Sequence, residues 1–208
     1  MDDCCANKAR ELERLATHAE QRRVLVTVLA LNAAMFVIEF TAGLIAGSAA
    51  LMADSVDMLG DASVYALSLY ALGRSNRWKA GAAMAKGGFI LLLGLGVVWE
   101  IGVKLRTGVA PSSTLMLAFA GLALAVNLVC LRLIWRFRSL DLNMASAVEC
   151  SRNDVIANSG VLVAAAVVAL TGSFWPDVIV AAVIAGLFLR SAVRMIALSW
   201  PFLRPARG

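Results

Sequence analysis

Apolar runs of near-bilayer length recur six times along this chain, at about 24–46, 49–72, 80–103, 113–135, 143–170 and 177–199. A membrane-crossing helix needs about 20 predominantly apolar residues, and each run is close to that length. Lipid offers backbone N–H and C=O groups no partners, so a spanning element is either a helix or part of a closed barrel. The strict in–out alternation of barrel strands is absent here. The expected fold is therefore all-α: an integral membrane bundle of six transmembrane helices. Composition agrees, because 61% of the 208 residues are hydrophobic and only 16% are charged, more apolar surface than one soluble core hides.

The charges that remain are placed unevenly. Lys8, Arg10, Arg14, Arg22 and Arg23 precede the first run, and Arg74, Arg77 and Lys79 follow the second. Arg132, Arg136 and Arg138 close the fourth, and Arg190, Arg194, Arg204 and Arg207 close the last. The loops after the first and fifth runs carry no basic residue, and the third is followed only by Lys104 and Arg106. This bias puts both termini in the cytoplasm. It also explains the net charge of +5 without nucleic acid as a partner. The expected organisation is a cytoplasmic segment at 1–22, a six-helix transmembrane domain at 23–200 and a short tail at 201–208. The N-terminal segment reads as a short amphipathic helix leading into the first span, with no secretory signal. Cys4, Cys5, Cys130 and Cys150 suggest no disulfide framework. With no soluble domain expected at either end, the spans must carry the function.

The second span contains the sharpest conflict. In "LMADSVDMLGDAS", Asp54, Asp57 and Asp61 stand at i, i+3 and i+7, and at about 100° per residue they share one helical stripe. Each acid costs ~2.5–3.5 kcal/mol at a membrane-helix centre, so three cost of order 8–10, whereas a leucine returns only ~0.5. The stripe must face the bundle interior, with its charge offset by protons, basic side chains or metal ions. The span has no interior Lys or Arg of its own.

The fifth span supplies a matching set. "SAVECSRNDVIANSG" holds Glu149, Cys150, Asp154 and Asn158. Cys150, Asp154 and Asn158 follow at steps of four and share a face, whereas Glu149 turns away from Asp154 and can pair with Arg152. Asp57 and Asp61 facing Cys150 and Asp154 would make four ligands, three oxygens and one sulfur. That set suits tetrahedral Zn²⁺ or Cd²⁺ and suits Mg²⁺ or Ca²⁺ poorly. Asp54, Glu39, Glu149 and Asn158 are candidates to support the site or line the route. Asn127 reads as an interhelical hydrogen bond, Gly43, Gly47, Gly94 and Gly96 as points of close helix approach, and Trp99, Trp175 and Trp200 as interfacial anchors. Cys4, Cys5 and His18 read as part of a plain flexible tail.

These residues carry a resemblance. "FVIEFTAGLIAGSAALMADSVDMLGDA" resembles the first two spans of the cation diffusion facilitators, six-helix transporters that move Zn²⁺ and related divalent metals, usually against protons. The family's two metal-binding pairs match Asp57 with Asp61 and Cys150 with Asp154, and "WPDVIVAAVIAGLFLRSAVRM" resembles its sixth helix. The fifth-helix pair begins here with cysteine where the family has His or Asp, which tilts the expected preference toward soft ions. The family's histidine-rich link between spans 4 and 5 and its cytoplasmic C-terminal domain have no counterpart, so a homodimer would form through the spans or the tail. The resemblance implies a proton-coupled antiporter of a bacterial inner membrane, not an enzyme. Its Zn²⁺ or Cd²⁺ is substrate, with no permanent cofactor. The competing reading is a structural or metal-sensing membrane protein.

Overall fold

The computed structural model describes the backbone of residues 2–70, 76–138 and 142–203, and the side-chain surroundings of 19–60, 62–63, 80–138, 148–149, 151–197 and 199–200. The described chain is six helices: α1 (Asp2–Ala46), α2 (Ala49–Tyr70), α3 (Asn76–Thr107), α4 (Ser113–Trp135), α5 (Leu142–Thr171) and α6 (Trp175–Leu203). No strand occurs among the described residues. Five helices contain a stretch long and apolar enough to cross a bilayer, namely Ala19–Ala46, Ala80–Thr107, Ser113–Trp135, Ser151–Thr171 and Trp175–Ala197. The protein is thus a multi-pass membrane protein. Helix α2, part of whose side chains lie outside the described residues, is not among these five. Helix α1 runs unbroken through the expected boundary near residue 22, so the amphipathic lead-in and the first span are one helix.

Packing explains why α2 tolerates its acids. It contacts every other helix, whereas α3 packs chiefly on α6, α1 on α2, and α4 on α5. Residues 48–56 are buried on all sides, so this half of α2 has no face for lipid and need not be apolar all round. The lipid-facing side chains belong to its neighbours, with Ile45, Leu92, Leu170 and Leu187 largely exposed. Trp99, Trp175 and Trp200 are exposed as well, as interfacial anchors are.

Close approach has local causes. A Cβ on Gly43 would lie 2.8 Å from Met52 Cγ and 3.0 Å from Met52 N, so only glycine lets α1 lie this near α2. A Cβ on Gly94 would meet Leu189 Cδ2 and Phe188 Cε2 at 2.5 Å, where α3 crosses α6. The other two expected contact glycines behave differently. Gly47, at φ +60°, makes the tight α1–α2 turn, and Gly96 has open space beside it.

The turn end of the bundle is held by Asp177, in the first turn of α6. Its Oδ1 accepts from Ser48 Oγ at 2.6 Å and from Ala50 N at 3.1 Å, and its Oδ2 accepts from Ala49 N at 3.0 Å and from Lys104 Nζ at 2.6 Å. One buried carboxylate therefore caps α2 from another helix, satisfying N–H groups that a helix start leaves orphaned. Lys104 was expected as a loop charge. It lies within α3, 3% exposed, and neutralises Asp177. Ser112 N also donates to Ala46 O at 2.9 Å, tying the start of α4 to the end of α1.

Candidate metal site

The predicted residues lie on α2 and α5, which pack on each other and are joined by a side-chain hydrogen bond. Asn158 Nδ2 of α5 donates to Asp54 Oδ1 of α2 at 3.2 Å, and also to its own helix at Asp154 O, 2.9 Å away. Both side chains are fully buried. The α5–α6 connection is short, and the start of α6 holds the start of α2, so α2 and α5 run in opposite directions. Moving from the Asp54–Asn158 contact toward the termini end, α2 presents 57 and then 61, and α5 presents 154 and then 150. At about 1.5 Å rise per residue these lie ~4.5 and ~10.5 Å along α2, and ~6 and ~12 Å along α5. Position 57 is thus roughly level with 154, and 61 with 150.

Asp154 is buried and Asp57 is half-buried, and each has electrostatic or hydrogen-bonding company. The side chains of Asp61 and Cys150, two of the four expected ligands, lie outside the described residues. Among the described residues, no three His, Cys, Asp or Glu side chains converge on one point. Burial changes along α2: the turn-end half through Val56 is enclosed, whereas Asp57, Leu59 and Gly60 are partly exposed. On this stripe Asp54 is therefore enclosed and Asp57 less so.

The supporting candidates divide. Glu39 of α1 is fully buried with its carboxyl beside that of Asp54. Glu149 points outward, exposed, and pairs with Arg152 at 3.4 Å. Asn127 of α4 is buried, but its Nδ2 has no hydrogen-bond partner among the described residues. One feature of the interior was not anticipated: the free thiol of Cys130 accepts a long contact from Asn32 Nδ2, 3.9 Å. Asn32, on a polar position of α1 one turn after Val28, was the available signal.

Unsatisfied polar atoms are concentrated in this part of the bundle. Asn32 Oδ1, both Glu39 oxygens, Asp54 Oδ2, Asn127 Nδ2, Ser151 Oγ and Asn158 Oδ1 are buried without a protein partner among the described residues, all on α1, α2, α4 and α5. The Asp177 carboxylate, by contrast, has four donors. Native interiors leave few such atoms, and each calls for a physical explanation. The four helices that carry the orphaned atoms also carry every expected ligand.

Sequence comparison points the same way: the cation efflux transmembrane domain matches residues 25–201. The chain belongs to the cation efflux family. Relatives in that family include the metal cation efflux system protein CzcD of Cupriavidus metallidurans, 27% identical over 174 residues that cover 78% of this chain and 55% of the relative. The zinc transporter ZitB of Escherichia coli (strain K12) is 26% identical over 187 residues, 84% of this chain and 60% of the relative. Metal tolerance protein A2 of Arabidopsis thaliana is 31% identical over a shorter stretch, 58% of this chain and 34% of the relative. The chain thus spans little more than half the length of its bacterial cation efflux relatives.

Proposed function

We propose that this chain carries a divalent metal cation, Zn²⁺ or Cd²⁺, across a bacterial inner membrane in exchange for protons. The metal sits between Asp57 and Asp61 of α2 and Cys150 and Asp154 of α5. Helix α2 is then the sixth span, shielded from lipid by the other five, and both termini are cytoplasmic. The Asp54–Asn158 contact carries this reading, because it turns the two polar stripes toward each other. The names of CzcD and ZitB, a metal cation efflux protein and a zinc transporter, support the substrate class.

The chemistry follows from the donor set. Carboxylates and a thiol must lose their protons to bind metal, so loading releases protons and acid on the far side favours unloading. Three oxygens and one sulfur suit a four-coordinate borderline or soft ion. The enclosed turn-end half of α2 and the partly exposed Asp57 support access from the termini side. Alternating access requires the opposite opening in another state.

The test is metal flux into reconstituted vesicles, for a panel of divalent ions, with and without a pH gradient. Flux of Zn²⁺ or Cd²⁺ that depends on the gradient is the expected result. Wild-type flux by Asp57→Ala would overturn the proposed site. Metal-dependent thermal stabilisation without flux would instead identify a sensor.

A further inference from the structure

The proposed ligands leave one buried acidic pair unused. Glu39 is 0% exposed, and neither of its carboxyl oxygens has a hydrogen-bond partner among the described residues. Glu39 lies between Met35, which packs with Met58, and Gly43, which packs on Met52, so it stands level with Asp54. Among the described residues Asp54 receives one donor, Asn158 Nδ2, on Oδ1 and none on Oδ2. On the termini side, Met35 of α1, Met58 of α2 and Ala123 of α4 pack into an apolar cluster within a turn of the pair. Toward the turn end lie the enclosed residues of α1 and α2, including Ala42, Ala46 and Ala50. The site is enclosed and oxygen-rich.

Two adjacent carboxylates with one donor between them, both out of reach of bulk solvent, cannot both be charged without a counter-charge beside them. The helices packed against α1 are α2 and α4. From α2 the titratable groups in range are Asp54 and, acting on it, Asp57. From α4 the nearby polar side chains are Asn127 and the Cys130 thiol, neither a cation. Helix α5, behind Asp54, adds Asp154 and Asn158. The buried Lys104 is committed to Asp177 at the turn end. No basic side chain among the described residues is placed to neutralise the pair. A single proton removes the conflict, because it turns two facing acceptors into one charge-assisted O–H···O⁻ bond.

We propose that Glu39 carries a proton and donates it to the Asp54 carboxylate, and that this proton site is separate from the metal ligands and discharges when metal loads. The step balances simply: Glu39–COOH becomes Glu39–COO⁻, and H⁺ leaves as the divalent charge arrives one turn along α2. Reciprocity follows, so the proton on Glu39 weakens metal binding and metal weakens proton binding. The discharge rests on the proposed function; the occupancy of Glu39 does not.

Infrared spectroscopy of the full chain, metal-free at neutral pH, reads the proton directly as the C=O stretch of a protonated buried carboxyl. A band is expected in the wild type, with one component that Glu39→Gln loses and Asp57→Asn retains. Asp54→Asn is expected to shift it, since the acceptor of the O–H changes, and this variant decides the matter if Glu39→Gln does not fold. A wild type without the band, or a band indifferent to both Glu39→Gln and Asp54→Asn, overturns the proposal. The discharge is read by a pH-indicator dye during Zn²⁺ titration: protons released per metal fall by about one in Glu39→Gln. An unchanged count overturns the discharge while leaving the occupancy to the infrared result. A band present in protein that supports no metal flux refutes the transport reading and leaves the proton site standing.

Discussion

Lys104 Nζ lies 2.6 Å from Asp177 Oδ2 in a pair that water does not reach. The pair joins the end of α3 to the start of α6, and through Ser48, Ala49 and Ala50 it also holds the start of α2. Removing one member strands the other charge, so Asp177→Ala should cost about 3–5 kcal/mol of stability. Lys104→Met combined with Asp177→Asn should cost clearly less than the sum of the single changes, because neither charge is then left alone. Thermal unfolding of the four proteins in detergent checks this; strict additivity would show that the pair is not a coupled unit.

The α1–α2 contact gives a second, steric prediction. Gly43→Ala sets a methyl 3.0 Å from the backbone nitrogen of Met52, an atom that cannot rotate away. It should destabilise by about 1–3 kcal/mol, as overpacking does. Gly96→Ala meets nothing and should be neutral or slightly stabilising, since alanine favours the helix. Equal unfolding temperatures for the two variants would contradict the packing at Gly43.

Asn158 is not among the proposed ligands, yet it links the two polar stripes through Asp54. Replacing it with leucine removes the donor to Asp54 and should destabilise the protein by about 1–3 kcal/mol, the cost of an abandoned buried acceptor. Glutamine, which keeps the amide, should recover part of that loss. Chemical denaturation of Asn158→Leu and Asn158→Gln separates the hydrogen bond from mere volume.

Cys150 bears on metal choice. A thiolate favours softer ions, so Cys150→His should lower Cd²⁺ flux relative to Zn²⁺, and Cys150→Ser should weaken both. Competition flux in vesicles reads the ratio; an unchanged Cd²⁺-to-Zn²⁺ ratio in Cys150→His would remove Cys150 from the ligand set.

Acidity gives the last prediction. Bound metal requires deprotonated ligands, so apparent Zn²⁺ affinity should fall as the pH is lowered and rise as it is raised toward neutrality. Calorimetry across that range checks the sign, and affinity independent of pH would argue against carboxylate and thiolate ligands.

Much of this architecture is legible along the chain, and each miss has a physical cause. The runs of apolar residues locate five of the helices to within a few residues, whereas α1 begins at Asp2, far ahead of its run, because a helix can continue past the apolar stretch. The Asp54–Asp57–Asp61 stripe is readable because helical periodicity places those side chains on one face. Glu149 shows the same logic: its offset from Asp154 turns it away, and it is found exposed with Arg152. Lys104 reads as a loop charge because its partner lies 73 residues away, and local pattern holds no information at that separation. Gly47 and Gly96 look like packing glycines for a related reason: a missing Cβ is visible in sequence, but the neighbour that would fill its space is not.

The amino-acid order by itself determined that this chain is a helical membrane protein and that its costly acids lie on definite faces of the second and fifth spans. Tertiary structure decided which faces meet. It surrounded α2 with all five other helices, set Asn158 against Asp54, brought Glu39 beside the same aspartate, and locked Lys104 onto Asp177. The reason is that periodicity specifies a direction about a helix axis, whereas the partner in that direction is chosen by how the whole bundle excludes lipid and pairs its buried charges.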